Sequence, residues 1–326
     1  MRFCELGNTG VEVSAMGLGC MGMSGRYGPA DEAESIATLQ AAIERGVNFI
    51  DTASGYGGGH NQELIGKAIT GPRDQVIVHS KFGISRAADG EMIFDTSPEA
   101  ARADCEESLI RFGIDVIDVF CPARPQPDFP MEEKIGGMAR LQEEGKIRFL
   151  GLSEAGPKFI RAAASKADIV SLQMEYSLLS RDLETEHRDL CEELGMMIMG
   201  YAPFCRGMLT DTQFGGNFAD GDGRGRTARF NQDNLGKNMA LRQVASEVAG
   251  EHGASVAQIA LAWSLTKGAP VIPFPGCKSR AHLGENLGAL DIVLSADDMA
   301  RLDEAYPLGI AAGGRYPAAQ LAEWHQ

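Results

Sequence analysis

Three side chains placed at strand and loop ends could together run proton chemistry. A short apolar run ends in Asp51, the Gly-broken loop after it presents Tyr56, and the next apolar run, QVIVHSKFG, carries Lys81 at its end. A phenol titrates at about pH 10 and is a poor acid at neutrality, but a neighbouring ammonium favours the phenolate and lowers that value. A carboxylate beside the ammonium keeps it charged and oriented. Such a trio describes a tuned proton donor for a carbonyl oxygen that becomes an alkoxide. The competing reading makes Asp51 a cap on the approach to the next helix, Tyr56 a packed loop residue and Lys81 a solvated strand end. Spacing alone does not separate the two.

Both charged groups fall where parallel α/β folds keep their chemistry, at the carboxyl ends of strands. Residues 2–6 alternate in polarity, turn at Gly7-Asn8-Thr9-Gly10 and alternate again through Val11, Val13 and Ala15, which predicts a hairpin over 1–15 that covers one end of the main fold. From Met16 the pattern becomes strand, loop, helix, repeated. Strands are expected at 15–20, 48–51, 76–81, 116–121, 147–152, 169–173, 196–201 and 269–273. Helices are expected at 31–45, 61–69, from a Ser97 cap with Pro98 at the first helical position, and at 131–144, 157–166, 182–194, 236–252, 256–266, 282–290 and 296–306. Eight such units predict an α/β fold, a single (β/α)8 TIM barrel spanning 1–326, because right-handed crossovers place every helix outside. Paired doubly wound sheets are the competing architecture. GLGCMGMSG has glycines but not the Gly-x-Gly-x-x-Gly spacing that fold uses. Residues 206–238, after the seventh strand, exceed a normal link and are rich in Gly, Asp and Arg; they read as a lid, with a disordered loop as the alternative.

Composition narrows the ligands. With 44% hydrophobic residues the chain can bury a core, and 40 glycines against 14 prolines suit many strand-to-helix turns. Thirty basic against 45 acidic residues give a net charge of −15, which repels nucleic acid and anionic membrane, so neither is expected as a partner. A phosphate-bearing ligand must then find a local positive pocket. The start, MRFCELGNTGVEVS, lacks an apolar signal core and no stretch is long enough to span a bilayer, so a cytoplasmic protein is expected. The seven cysteines are scattered, without zinc or disulfide spacing, and read as small core residues. No metal site is legible.

DTASGYG, ELIGKAI and SKFG resemble the aldo-keto reductase superfamily, NAD(P)H-dependent barrel enzymes. The resemblance continues in order through LGLGCMGMS, EEGKIRFLGLSE, DIVSLQMEYSLLSR, GYAPFCRGMLT and PFPGCKSRAHLGENLGAL, nearly the whole chain. It implies that Asp51, Tyr56 and Lys81 are three members of the catalytic set. The fourth, a histidine after the fourth strand, does not match, because VFCPAR places Ala123 there. That departure resembles the pyridoxal-reductase-like branch. Losing one such donor costs on the order of 10²-fold or more in rate. Arg124 could present a replacement donor or form a salt bridge at the rim. His79, two residues before Lys81, should face the same side and reads as a buried core histidine.

For the cofactor, the resemblance implies Gly22 and Met23 after the first strand, and Asp51. Ser153, the following Glu154, Gln173 and Tyr201 would lie around the nicotinamide. Phe204, Cys205, Arg206, Gly207 and Leu209 would run along the pyrophosphate, and Gly276, Lys278, Ser279, His282, Glu285 and Asn286 would hold the adenosine end. A helix opening near Ser279 would add its amides to the charge of Lys278, with Arg280 near by. This local cluster favours NADPH over NADH, although His282 sits where many relatives carry Arg. Arg226 and Arg229 read as lid residues or as solvated loop.

The expectation is a reductase, a monomer with a homo-oligomer as the alternative, that transfers a hydride from NADPH to a small-molecule aldehyde or ketone, with Tyr56 as general acid assisted by Lys81 and Asp51. Two alternatives stand beside it. Ala123 keeps open a non-catalytic nicotinamide-binding regulatory module, and the substrate loops around 23–29, 84–94 and 124–129 leave room for a pathway-specific enzyme acting on a sugar or natural-product carbonyl.

Overall fold

A computed structural model describes residues 1–86, 92–126 and 129–325, so parts of two expected substrate loops lie outside the described residues. The alternating first residues form a hairpin, β1 (Phe3–Glu5) against β2 (Glu12–Ser14), with Phe3 opposite Ser14. Then come β3 (Leu18–Gly19), α1 (Glu32–Glu44), β4 (Phe49–Asp51), α2 (His60–Ile69) and β5 (Ile77–Phe82). A small antiparallel pair follows, β6 (Ile84–Arg86) and β7 (Met92–Phe94). The alternation resumes with α3 (Pro98–Phe112), β8 (Ile117–Pro122), α4 (Met131–Glu143), β9 (Ile147–Ser153), α5 (Pro157–Ala164), β10 (Ile169–Glu175), α6 (His187–Leu194) and β11 (Met197–Tyr201). After a long connection come α7 (Gln232–Ala240), α8 (Gln243–His252), α9 (Val256–Lys267), β12 (Val271–Phe274), α10 (Arg280–Gly288), α11 (Ala296–Ala305) and α12 (Ala318–Trp324).

Eight strands lie side by side and parallel, in the order β3, β4, β5, β8, β9, β10, β11, β12. The ring closes where Gly19 bridges Gly276 and where the amides of Gly17 and Gly19 donate to Pro273 and Pro275, each at 3.0 Å. This is the expected (β/α)8 barrel. Period-two alternation divides its core. Phe49, Val119, Met197, Met199, Ile272 and Phe274 fill the interior with Leu6 and Val13 of the hairpin, while Ile50, Val78, Phe120, Leu150 and Leu172 pack against the helices. Each such side chain contributes about 1.5–3 kcal/mol when fully buried. The hairpin plugs the amino ends of the strands, where Ser14 donates its amide to Asn48 at 2.6 Å, and leaves the carboxyl ends to the loops.

The caps read from the sequence are present. Asp31 accepts from the Glu34 amide at the start of α1, and Ser97 accepts from Ala100 with Pro98 in the first turn of α3. Two expected helices differ. Residues 182–194 begin with a separate 3-10 turn, and α6 starts only at His187. The helix expected at 236–252 is two, α7 opening earlier under an Asn231 cap and α8 starting at Gln243. Between them Arg242 donates to the Thr210 carbonyl at 2.6 Å, a tertiary contact that fixes the break. Within 206–238 the chain is packed rather than extended: Phe214, Phe218 and Phe230 meet with ring centroids 5.4–5.9 Å apart, and the Gly223 amide donates to the Arg26 carbonyl at 3.1 Å.

Candidate active site

Asp51 is the last residue of β4, and its neighbours on the rim converge on one oxygen. Oδ1 accepts from Lys81 Nζ at 2.5 Å, His79 Nδ1 at 2.8 Å and Gln173 Nε2 at 2.8 Å. The strand register pairs Asp51 with His79, and period two then puts Lys81 on the same inward face. Burial works against the charge on Asp51, but Lys81 and the His79 hydrogen bond outweigh it and hold the carboxyl down at about 2. Burial likewise opposes the charge on Lys81, yet Asp51 keeps its pKa above the ordinary lysine value. His79 is fully buried and shifted downward, first by burial. A neutral ring that donates from Nδ1 leaves Nε2 to face Cys121 Sγ at 3.5 Å.

Tyr56 stands above this cluster, half-buried, with Lys81 Nζ 5.4 Å from its ring centroid. The chain leaves it for α2 through a turn that favours glycine, since Gly57, Gly58 and Gly59 have φ of 62°, 64° and 100°. Asn61 then ties the turn to the barrel, accepting from Thr52 at 2.6 Å and donating to the Cys20 carbonyl at 2.9 Å. Burial raises the Tyr56 pKa, and Lys81 pulls it down by less than burial lifts it, so the phenol holds its proton. Ala123 is buried one residue past β8, with its amide on the Phe82 carbonyl at 2.9 Å. His79, engaged on both ring nitrogens beneath Asp51, does not take the place of a histidine there.

A second buried carboxylate adjoins the first group. Glu154 Oε1 accepts from Tyr201 at 2.8 Å, from Arg315 at 2.9 Å and from the Glu175 amide at 3.2 Å, while Oε2 accepts from Arg315 at 3.1 Å and lies 3.3 Å from His325 Nε2. Burial opposes its charge, but Arg315 and His325 hold its pKa well below the usual carboxylate range. A third, Glu175, accepts from Arg229 at 3.1 Å and Ser180 at 2.6 Å and sits 3.5 Å from Arg206. The non-glycine residues with left-handed φ among the described residues are Glu154, Ala202, Cys205 and Arg206, at 53°, 52°, 46° and 59°. All four lie just past β9 or β11. Each such conformation costs about 1–3 kcal/mol and is held by surrounding contacts.

The other residues singled out from the sequence fall in two groups. Ser153 and Tyr201 end β9 and β11, Gln173 lies two residues before the end of β10, and Met23 is buried beside Gly22 in the turn after β3. Phe204, Cys205, Arg206, Gly207 and Leu209 follow β11, with Gly207 at φ 105°. Past β12, Gly276 touches Gly19 and Lys278 donates to the Pro29 carbonyl at 2.5 Å. Ser279 caps α10 through the His282 amide, and Arg280 pairs with Glu34 at 2.8 Å. Glu285 accepts from Ser255 at 2.6 Å. Two buried polar atoms in this set, Ser153 Oγ and Asn286 Nδ2, have no hydrogen-bond partner among the described residues. Six of the cysteines are buried and Cys4 is half-buried.

The residues missed from sequence come from the C-terminal segment. Arg315 reaches Glu154, and Tyr316 Oη lies 3.0 Å from Tyr201 Oη and accepts from Arg124 Nη2 at 2.7 Å. Trp324 packs on Tyr316 at 5.2 Å. A signal was available in Pro317 followed by AAQLAEW, a helix start, but nothing local says where that helix docks.

Among the described residues no helix is long and apolar enough to cross a membrane. The chain is 39% identical over 314 residues to a protein of Glycine max named probable aldo-keto reductase 1, covering 96% of this chain and 91% of that one. Its fold is similar to that of glycerol dehydrogenase from Gluconobacter oxydans, with a TM-score of 0.84 at 26% identity, covering 93% of this chain and 94% of that one. It is also similar to an aldo/keto reductase from Klebsiella pneumoniae solved with NADP and acetate, with a TM-score of 0.72 at 29% identity over 94% of this chain and 96% of the other. Residues 15–307 match the Aldo/keto reductase family, and with that match added to the barrel and the Asp51 cluster, the chain belongs to this family of oxidoreductases.

Proposed function

We propose that the protein is an NADPH-dependent reductase of aldehydes and ketones in which Tyr56 gives up the proton that the reduced oxygen takes. One observation carries this reading: a buried carboxylate, Asp51, holds the Lys81 ammonium at 2.5 Å, directly below the Tyr56 ring. A phenol that keeps its proton at rest remains available as a donor, and the phenolate it becomes faces a fixed positive charge. Asp51 keeps Lys81 charged, and the three donors on its Oδ1 keep it in place.

The residues present fit a nicotinamide dinucleotide. The unpartnered Ser153 Oγ lies at the end expected for the carboxamide, and the unpartnered Asn286 Nδ2 at the end expected for the adenosine. When bound, NADPH would supply the hydride. Tyr201, tethered through its hydroxyl to Glu154, would offer its ring to the nicotinamide. Arg206, with residues 204–209, would lie along the pyrophosphate, and residues 206–238 would cover it as a lid. Lys278, whose partners are carbonyls rather than a carboxylate, would meet a 2′-phosphate, which supports NADPH over NADH.

Tyr56→Phe tests the reading. Turnover of a broad carbonyl panel should fall by about 10²–10⁴-fold, with NADPH binding, followed by cofactor fluorescence, unchanged. Equal turnover in the variant would refute the role of Tyr56. Tight NADPH binding with no turnover by the wild-type protein would instead leave a nicotinamide-binding module.

A further inference from the structure

We propose that Arg124 is the anion-recognition residue of the substrate site, and that the substrate is a carbonyl compound carrying a carboxylate or phosphate group; the proposal rests on the reductase reading above. Five basic residues at this end of the barrel are matched to acids: Lys81 with Asp51, Arg315 with Glu154, Arg206 and Arg229 with Glu175, and Arg224 with Asp222. Arg124 differs. Its hydrogen-bond partners are neutral, the Ala123 carbonyl at 2.5 Å and the Tyr316 hydroxyl at 2.7 Å, and no carboxylate pairs with it among the described residues.

The guanidinium is nonetheless held in a fixed pose. Its central carbon lies 4.9 Å from the Tyr316 ring centroid and 5.0 Å from that of Trp324. Five N–H groups belong to a guanidinium, and the two partners leave others to donate. Arg124 is only half-buried, one residue past Ala123, whose amide is tied to Phe82, the neighbour of Lys81. Its charge also acts on the Tyr56 phenol, as expected of two groups at the same end of the barrel. The carboxylate that acts on it is Glu154, which Arg315 already holds, and a planar, oriented cation with no carboxylate in direct contact among the described residues suits bidentate capture of a carboxylate or phosphate. The C-terminal segment fixes the pose of Arg124, because Arg315, pinned to buried Glu154, positions Tyr316 against it.

The test compares benzaldehyde with 4-carboxybenzaldehyde and with 4-formylphenyl phosphate, using the full chain and NADPH. The wild-type protein should prefer one or both anionic aldehydes in kcat/KM by about 10–100-fold, chiefly through KM, and the better arm identifies carboxylate or phosphate. Arg124→Gln should bring that ratio near unity, while Arg124→Lys, which keeps the charge, should retain much of it. Near-UV circular dichroism of the variants checks that Trp324 is still packed. Calorimetric titration with benzoate, phenyl phosphate and benzamide gives a readout without turnover: the matching anion should bind wild type and Arg124→Lys but not Arg124→Gln, and benzamide should not discriminate. If no aldehyde is reduced but anion binding follows the charge at position 124, the reductase reading fails and the anion site stands. The same anion preference in wild type and Arg124→Gln, or no preference in either, overturns the proposal.

Discussion

At the scale of single residues, the site depends on Asp51 being ionised inside the barrel. One oxygen with three donors is a favourable arrangement for a carboxylate and a poor one for a carboxylic acid, which could not accept as strongly from an ammonium. Linkage turns that preference into stability. The folded-state pKa, about 2, lies below the ordinary aspartate value, so the contribution is fully present above about pH 4 and is lost as pH falls towards 2. Its size is on the order of 2 kcal/mol. Asp51→Asn leaves Lys81 as a buried cation without its partner, a change that costs about 3–5 kcal/mol. Urea unfolding from pH 7 to pH 2 should show the variant less stable at neutrality, with the difference shrinking as the solution is acidified. A constant difference across that range would mean that Asp51 is not held ionised by the fold.

At the scale of elements, the C-terminal segment is a structural part of the catalytic end. Glu154 is fully buried and its main counter-charge is Arg315, itself 4% exposed and 161 residues away in the chain. Arg315→Met should therefore destabilise the protein by about 3–5 kcal/mol, read as a lower urea midpoint, and should disturb Tyr316 and with it the hold on Arg124. An unchanged midpoint would show that the segment is only an appendage. This pairing also marks the limit of what the sequence made legible. Strands, helices and caps could be read because period and cap residues are local, and Asp51, Lys81 and Tyr56 could be placed because each sits at the end of a local pattern. The separate α7 and α8 could not be read, because residues 239–243, where the break falls, are all helix formers, and the contact at the break, Arg242 reaching Thr210, is tertiary. The role of Tyr316 was equally hidden, since it depends on a buried ion pair across the whole second half of the barrel.

At the scale of the molecule, a barrel of net charge −15 must bind an anionic dinucleotide against its own field. The expected adenosine site shows how little positive charge is free there. His282 is exposed and Lys278 is engaged by loop carbonyls, while Glu34 from α1 takes both the amide and the guanidinium of Arg280 at 2.8 Å. A carboxylate thus occupies the start of α10, where amides and a guanidinium would otherwise receive a phosphate. If NADPH binds as proposed, Glu34 would compete with its 2′-phosphate and weaken the selectivity proposed for Lys278. Glu34→Gln should then tighten NADPH by up to about fivefold with little effect on NADH, whose ribose carries no phosphate at that position. The gain should fade as salt rises, since the contacts are exposed and the Debye length at 0.15 M is about 8 Å. Cofactor fluorescence titrations at low and high salt would check this. Equal tightening of both cofactors would mean that Glu34 acts through the overall charge of the protein, and no change in either would place the 2′-phosphate away from the start of α10.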